Sequence, residues 1–202
     1  MKVIVFSSPG REQMLQNLLL EIEGDDYTVI DEPETFGKKN FWKRYKKAFE
    51  ICRESKHDWF LFLPDDVQHI DFQALDKFKQ MFADEKIVLN LTSDVRTECW
   101  GNIYHPTPDI MLDGYTLKNQ GFYDCSGLIH RNTLKGIDME EVKDSWFNRP
   151  DKSSGVGYQL TAKFRQKGIP MYRPFPSLAY SGDHPSVMHP EERLKNPLIC
   201  QK

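Results

Sequence analysis

Between residues 2 and 91, short apolar runs alternate with amphipathic stretches, and no other feature of the chain limits its fold as tightly. Residues 2–6 form a β-branched run ended by Ser7-Ser8-Pro9-Gly10. In 11–23, Met14, Leu15, Leu18, Leu19 and Ile22 recur at helical spacing. A second strand is expected at 27–30, closed by Asp31-Glu32-Pro33. Over 40–54, Phe41, Trp42, Tyr45, Ala48, Phe49 and Cys52 fall on one helix face. Residues 59–63 are apolar without interruption, which fits a strand buried on both faces and stopped by Pro64-Asp65-Asp66. Asp71 is placed to cap a helix carrying Phe72, Leu75, Phe78 and Phe82 on one side, and 87–91 is a fourth strand.

Such alternation predicts an α/β fold with a mostly parallel central sheet flanked by helices. In open sheets of that kind, ligands bind beyond the carboxyl ends of the strands. Residues 7–11, Asp31, Asp65-Asp66 and 92–94 each follow a strand directly, so all four would gather along one edge. The second half is less regular. Residues 97–120, rich in Pro, Gly, Asn and Asp, are expected to loop over that crevice, and 125–130 to add a strand. Ser153 or Ser154 is placed to cap a helix running to Lys167 with Gly168 as its stop, and prolines forbid long helices across 170–197.

The 202 residues contain no repeat and no linker, so a single domain is expected. Their 13 Phe, 8 Tyr and 4 Trp exclude a coiled coil, a collagen-like chain or a disordered tail. No stretch approaches the ~20 apolar residues that cross a bilayer, and 3–6 is too short for a signal-peptide core. A soluble, cytoplasmic chain with no membrane partner is expected. A net charge of −3 gives no global field toward nucleic acid. None of Cys52, Cys99, Cys125 and Cys200 falls at CxxC spacing, which argues against structural zinc and for reduced thiols.

The chain has no GxxxxGK[ST] loop, no GxGxxG and no GxSxG, and the pair Gly155 and Gly157 follows no predicted strand. Its sharpest chemical signal is Asp65-Asp66 at the end of the apolar run. Adjacent carboxylates there are costly to hold unless a cation or solvent compensates them. A divalent ion that also binds a diphosphate is one compensator, since Mg²⁺ usually takes one or two carboxylates plus phosphate oxygens. The other explanation is that the acids cap the following turn and face water.

Residues 7–11 after the first strand, the ending Leu63-Pro64-Asp65-Asp66-Val67, the segment 121–131 and the stretch 168–178 together resemble a nucleotide-sugar glycosyltransferase of the GT-A type. The resemblance runs in order over residues 2–190. It implies a single GT-A-like, Rossmann-like domain over 1–202, with 1–95 as the nucleotide-binding half and 96–202 as the half that binds acceptor and completes a metal site. The implied reaction moves a sugar from a nucleotide-sugar donor, expected to be a uridine diphosphate sugar, to an acceptor hydroxyl with Mn²⁺ or Mg²⁺. The family's acidic motif, usually DxD, is Asp-Asp-Val here, with Asp66 as the metal ligand and Asp65 nearer the ribose or sugar. Ser7, Ser8 and Arg11 would line the nucleotide, the Arg offering a planar fork to phosphate. Asp31 corresponds to the acidic residue that contacts the base, although a plain loop role is the simpler expectation for it. Lys39 and Asn40 fall in the family's Gly-to-Asn stretch that touches the nucleotide. His184 would complete the metal shell, with His189 as the runner-up. Asp151 is the first candidate for the general base that takes the acceptor proton, and Asp124 is the alternative.

Small soluble members of this kind occur in phage, where the acceptor is a hydroxymethylated pyrimidine in DNA; such a chain would work in the host cytoplasm. Lys38, Lys39, Lys43, Arg44, Lys46, Lys47 and Arg53 surround the single acid Glu50, with Phe41, Trp42 and Tyr45 interleaved. That stretch permits a DNA acceptor. A solvated helix surface over core aromatics explains it more simply. Two other functions are compatible with the sequence. A nucleotidyltransferase would attack the α-phosphate of a nucleoside triphosphate, usually behind a longer Gly-rich loop than Pro9-Gly10-Arg11. A non-catalytic nucleic-acid- or protein-binding module would leave the acids as solvated loop residues.

Overall fold

Strand β1 (Lys2–Phe6) is apolar on both faces beyond Lys2, so it must be covered on both sides. The computed structural model describes residues 1–31, 41–92, 108–119, 122–142 and 155–181. In it β1 lies inside the sheet, paired in parallel with β2 (Asp26–Ile30) and with β3 (Trp59–Pro64). The sheet continues through β8 (Gly127–His130), β5 (Val88–Asn90), β9 (Met171–Phe175), β7 (Tyr115–Asn119) and β6 (Ile110–Leu112). Its eight strands run in the order β2-β1-β3-β8-β5-β9-β7-β6, and β4 (Val67–Gln68) pairs separately with β10 (Tyr180–Ser181).

Period-two alternation divides the core between the two faces. Val3, Val5, Leu61, Leu63, Leu89 and Leu128 pack on one side with Leu18 of α1 (Glu12–Glu21) and Leu75, Phe78 and Phe82 of α3 (Phe72–Phe82). Ile4, Phe6, Phe60, Phe62 and Ile129 pack on the other with α2 (Phe41–Glu54) and α5 (Val156–Gln166), and Leu134 of α4 (Arg131–Lys135) joins them. On that face the Tyr45 ring stacks 4.7 Å from Phe6 and 5.9 Å from Phe62, which fixes α2 across β1 and β3. Each fully buried ring of this kind contributes about 1.5–3 kcal/mol.

The sheet is mixed α/β as the alternation predicts, but it is not mostly parallel. Four of its seven pairings are antiparallel, β3–β8, β8–β5, β9–β7 and β7–β6, against three parallel ones. All four come from two reversed strands, β8 and β7, each set between strands of the opposite direction. Both lie in the second half, beyond the regular alternation. Residues 110–119, expected to loop over the crevice, instead form a hairpin within the sheet. Its turn is Asp113-Gly114, with φ of 45° and 86°, the left-handed pair that a two-residue hairpin requires. Helix α5 starts after Gly155, and the proposed caps Ser153 and Ser154 lie outside the described residues. Cys52 and Cys125 are free thiols. Among the described residues no helix is long and apolar enough to cross a membrane.

Asp71 caps α3 as the sequence predicts. Its Oδ1 accepts the Ala74 N–H at 2.9 Å, and its Oδ2 accepts the Tyr115 hydroxyl at 2.6 Å, tying the hairpin to the helix. The Tyr115 hydroxyl first, then the Ala74 amide, hold the Asp71 carboxyl below its ordinary value of 3.8. A carboxyl depressed in the fold stabilises it above its unfolded value, and the stabilisation is lost as pH falls through the folded one. Asp71→Ala is therefore expected to cost about 1 kcal/mol at neutral pH. The gap from the parent should close in acid below 3.8, as read from urea midpoints over a pH series.

Candidate functional site

Pro64 ends β3, and the next amide, Asp65 N–H, donates to the Phe6 carbonyl at 3.1 Å, which brings the acidic pair to the carboxyl end of β1. The loop after β1 closes on it. Ser8 N–H donates to Asp65 Oδ2 at 2.7 Å, and Arg11 Nη1 donates to Asp65 Oδ1 at 2.8 Å while lying 3.2 Å from Asp66 Oδ2. Arg11 and Asp66 are 8% exposed and Asp65 is 2% exposed, so the three charges are largely out of water. Burial pushes the Asp65 carboxyl above its ordinary value, against the pull of Arg11 and the Ser8 amide. Burial alone would lower the Arg11 guanidinium, but its contacts with Asp65 and Asp66 together raise it. On the other side of the loop, Ser7 N–H donates to Ile30 at the end of β2, and the Ser7 carbonyl accepts Arg44 Nη1 of α2 at 2.6 Å.

A second carboxylate stands at the same end of the sheet. Phe62 and Asn90 both pair with Gly127, so residues 122–126 lead into β8 between the ends of β3 and β5. Asp124 Oδ2 accepts the Thr92 hydroxyl at 3.2 Å and lies 3.2 Å from Arg173 Nη1; its Oδ1 accepts Ser126 N–H at 3.2 Å. Its own amide donates to Asn90 Oδ1, and Asn90 Nδ2 donates to the Phe122 and Tyr172 carbonyls. The edge thus carries three carboxylates and two guanidinium groups, with the Ser7 and Ser8 amides spent on Ile30 and Asp65.

No protein-family model matches the chain, and no curated protein sequence matches it. The site is therefore read from its own geometry. Of the residues singled out in sequence, Ser7, Ser8, Arg11, Asp65 and Asp66 form one connected network, and Asp124 belongs to the neighbouring one. Asp31 follows β2 and is exposed. Lys39, Asn40, Asp151, His184 and His189 lie outside the described residues. Part of the basic stretch is spent internally: Arg44 on Ser7, Lys46 on Glu140 at 3.0 Å, and Arg53 on the Ile137 carbonyl at 2.6 Å. Lys43 and Lys47 are exposed.

In the structure Arg11 supplies compensating charge to both acids, where the sequence suggested a divalent ion. Among the described residues no three His, Cys, Asp or Glu side chains converge as a metal site. Both Asp65 oxygens receive protein donors, so an ion bridging the two acids would have to displace Arg11. An ion held by Asp66 and completed by phosphate oxygens would have to share that carboxylate with Arg11, whose Nη1 lies 3.2 Å from its Oδ2. Sequence inspection missed Arg173, Asn90 and Thr92 as partners of Asp124. The available signal was Arg173 itself, a cation in the otherwise apolar Met171-Tyr172-Arg173-Pro174-Phe175, since buried Arg is rare without a partner.

Removing the guanidinium leaves Asp65 buried and unpaired. Arg11→Met should cost about 3–5 kcal/mol at neutral pH, the usual loss when one member of a buried pair is removed. A carboxyl already raised by the fold favours folding below its unfolded value, and that support is lost as pH rises through the folded one. The substitution raises it further, so the deficit against the parent should grow with pH in matched urea unfolding series.

Proposed function

We propose that the chain is a glycosyltransferase that moves a sugar from a nucleotide donor, a uridine diphosphate sugar on the resemblance, to an acceptor hydroxyl. The observation that carries this reading is the buried network of Ser8, Arg11, Asp65 and Asp66 at the carboxyl ends of parallel strands. Buried ion pairs are weak devices for stability. Crevices at such strand ends are where open α/β sheets take ligands. Asp65, fixed by two donors, would orient the ribose or sugar hydroxyls, while Ser7, Ser8 and Arg11 present the loop to the nucleotide.

Asp66 would hold the Mn²⁺ or Mg²⁺ ion. When bound there, the ion would supply charge stabilisation to the departing nucleoside diphosphate. Ser181, three positions before His184 in sequence, pairs with Val67, the residue after Asp66. That supports His184 as the proposed further ligand, with His189 second. Asp124 takes the role of base in this proposal, since it is held at the same edge; Asp151 remains the other candidate. The acceptor proposed is a hydroxymethylated base in DNA, with the exposed Lys43 and Lys47 contacting phosphate.

A panel of nucleotide sugars with Mn²⁺, scored by melting temperature and slow donor hydrolysis, tests the reading. One donor at 100 times its dissociation constant should add about 2.7 kcal/mol of stability. Nucleoside diphosphate should be the product, and Asp66→Ala should abolish both responses. Release of pyrophosphate from a nucleoside triphosphate would replace the reading with nucleotidyl transfer, and no response to any donor would overturn it. Retention on hydroxymethylated DNA should fall steeply with salt; no retention would remove DNA as the acceptor.

A further inference from the structure

Arg173 sits in β9 and is wholly buried. A guanidinium taken out of water is costly unless its donors are met. Its Nη1 donates to the Thr92 carbonyl at 2.8 Å and stands 3.2 Å from Asp124 Oδ2, while its Nε and Nη2 have no hydrogen-bond partner among the described residues. An apolar side chain would leave no donors unmet, so stability does not explain the choice of residue. The rest of the surroundings serves the same carboxylate. Thr92 and Ser126 grip its two oxygens, and Asn90 takes its amide. Cys125, next in the chain, is held at a φ of 70°, left-handed for a residue with a side chain. Gly127 keeps β8 close to β5, where a Cβ would lie 2.5 Å from the Leu89 carbonyl oxygen. Several independent constraints thus fix one carboxylate that is still 22% exposed.

We propose that Arg173 is a positioning residue for sugar transfer, holding the Asp124 carboxylate ionised and oriented so that Asp124 takes the acceptor proton. This rests on the glycosyltransferase reading. In the step, the acceptor O–H gives its proton to Asp124 and its oxygen forms the bond to the anomeric carbon. The bond from that carbon to the nucleoside diphosphate breaks, and its electron pair leaves on the phosphate oxygen. Among the described residues, the titratable groups facing Asp124 are Arg173, the Tyr123 phenol and the Cys125 thiol. Burial above all pushes both acids up, with the charge of Asp124 among the further causes. They stay neutral, and among the described residues Arg173 is a charge 3.2 Å from the carboxylate.

Arg173→Met and Arg173→Lys, alone and combined with Asp124→Asn in the full chain, provide the test. The Met variant should lose about 100-fold in kcat with donor KM little changed, and the acid limb of its rate profile should move to higher pH. Lys should restore most of both, and in the Asp124→Asn background the Met change should add little further loss. A loss that is uniform in pH, or additive with Asp124→Asn, overturns the proposal. The Asp124 carboxyl, followed by ¹³C NMR, gives a readout without turnover: its titration midpoint should rise in the Met variant and return in the Lys variant. An unmoved midpoint overturns the proposal even in an active enzyme. A raised midpoint in a chain that turns over no nucleotide sugar overturns the glycosyltransferase reading instead, and leaves the hold of Arg173 on Asp124 standing. Should the Met variant fail to fold, the Lys variant decides: an Asp124 midpoint and profile near the parent's support the proposal, and parent-like folding with a uniform loss in rate overturns it.

Discussion

One guanidinium group set between two adjacent carboxylates joins the first loop of the chain to the end of its third strand. Arg11 reaches Asp65 at 2.8 Å and Asp66 at 3.2 Å in a largely buried setting, where the interaction between charges is much stronger than in bulk water. The same residue starts the next element, since the Arg11 carbonyl accepts Leu15 N–H in the first turn of α1. Ser8 adds its amide to Asp65, and Arg44 reaches across from the opposite face of the sheet to Ser7. Helices on both faces are therefore tied to one short loop, and the loop is tied to the acidic pair. Exposed loops at strand ends usually move; this one is anchored through charge.

The second polar cluster repeats that logic one strand further on. Asp124 is held by groups from β5, β9 and its own segment, with Asn90 satisfying backbone atoms on both flanks. Neither cluster is an efficient way to stabilise a core, since buried charges are costly even when paired. Together they set three carboxylates and two guanidinium groups along one end of the sheet, each with a fixed orientation. Preorganised polar groups of that sort act with little reorganisation when charge develops on a bound ligand.

The first half of the fold was legible because its signals are local. The aromatic stripe of α2, the continuous apolar run of β3 and the Asp71 cap each depend on residues a few positions apart, and each appears in the structure. The need for charge compensation at Asp65-Asp66 was also legible, but not its source, because Arg11 belongs to a different loop. The reversed strands were harder to see. Asp113-Gly114 between two apolar runs is a hairpin signal, and it was masked by the polar residues around it. The insertion of β8 between β3 and β5 has no local signature at all. Arg173 could be flagged as a cation in an apolar strand, yet its partner Asp124 could only be found once β5, β8 and β9 were side by side.

That insertion governs how the molecule can be assembled. β3 and β5 touch only through β8, so a nascent chain that has emerged from the ribosome only as far as β5 holds strands it cannot join. Both would stay open at an edge, a hazard for association with other chains. Closure has to wait for residues 127–130 and then draw together segments distant in sequence, a topology that favours slow folding. The amino-terminal portion accordingly leaves β3 and β5 unjoined until β8 is added.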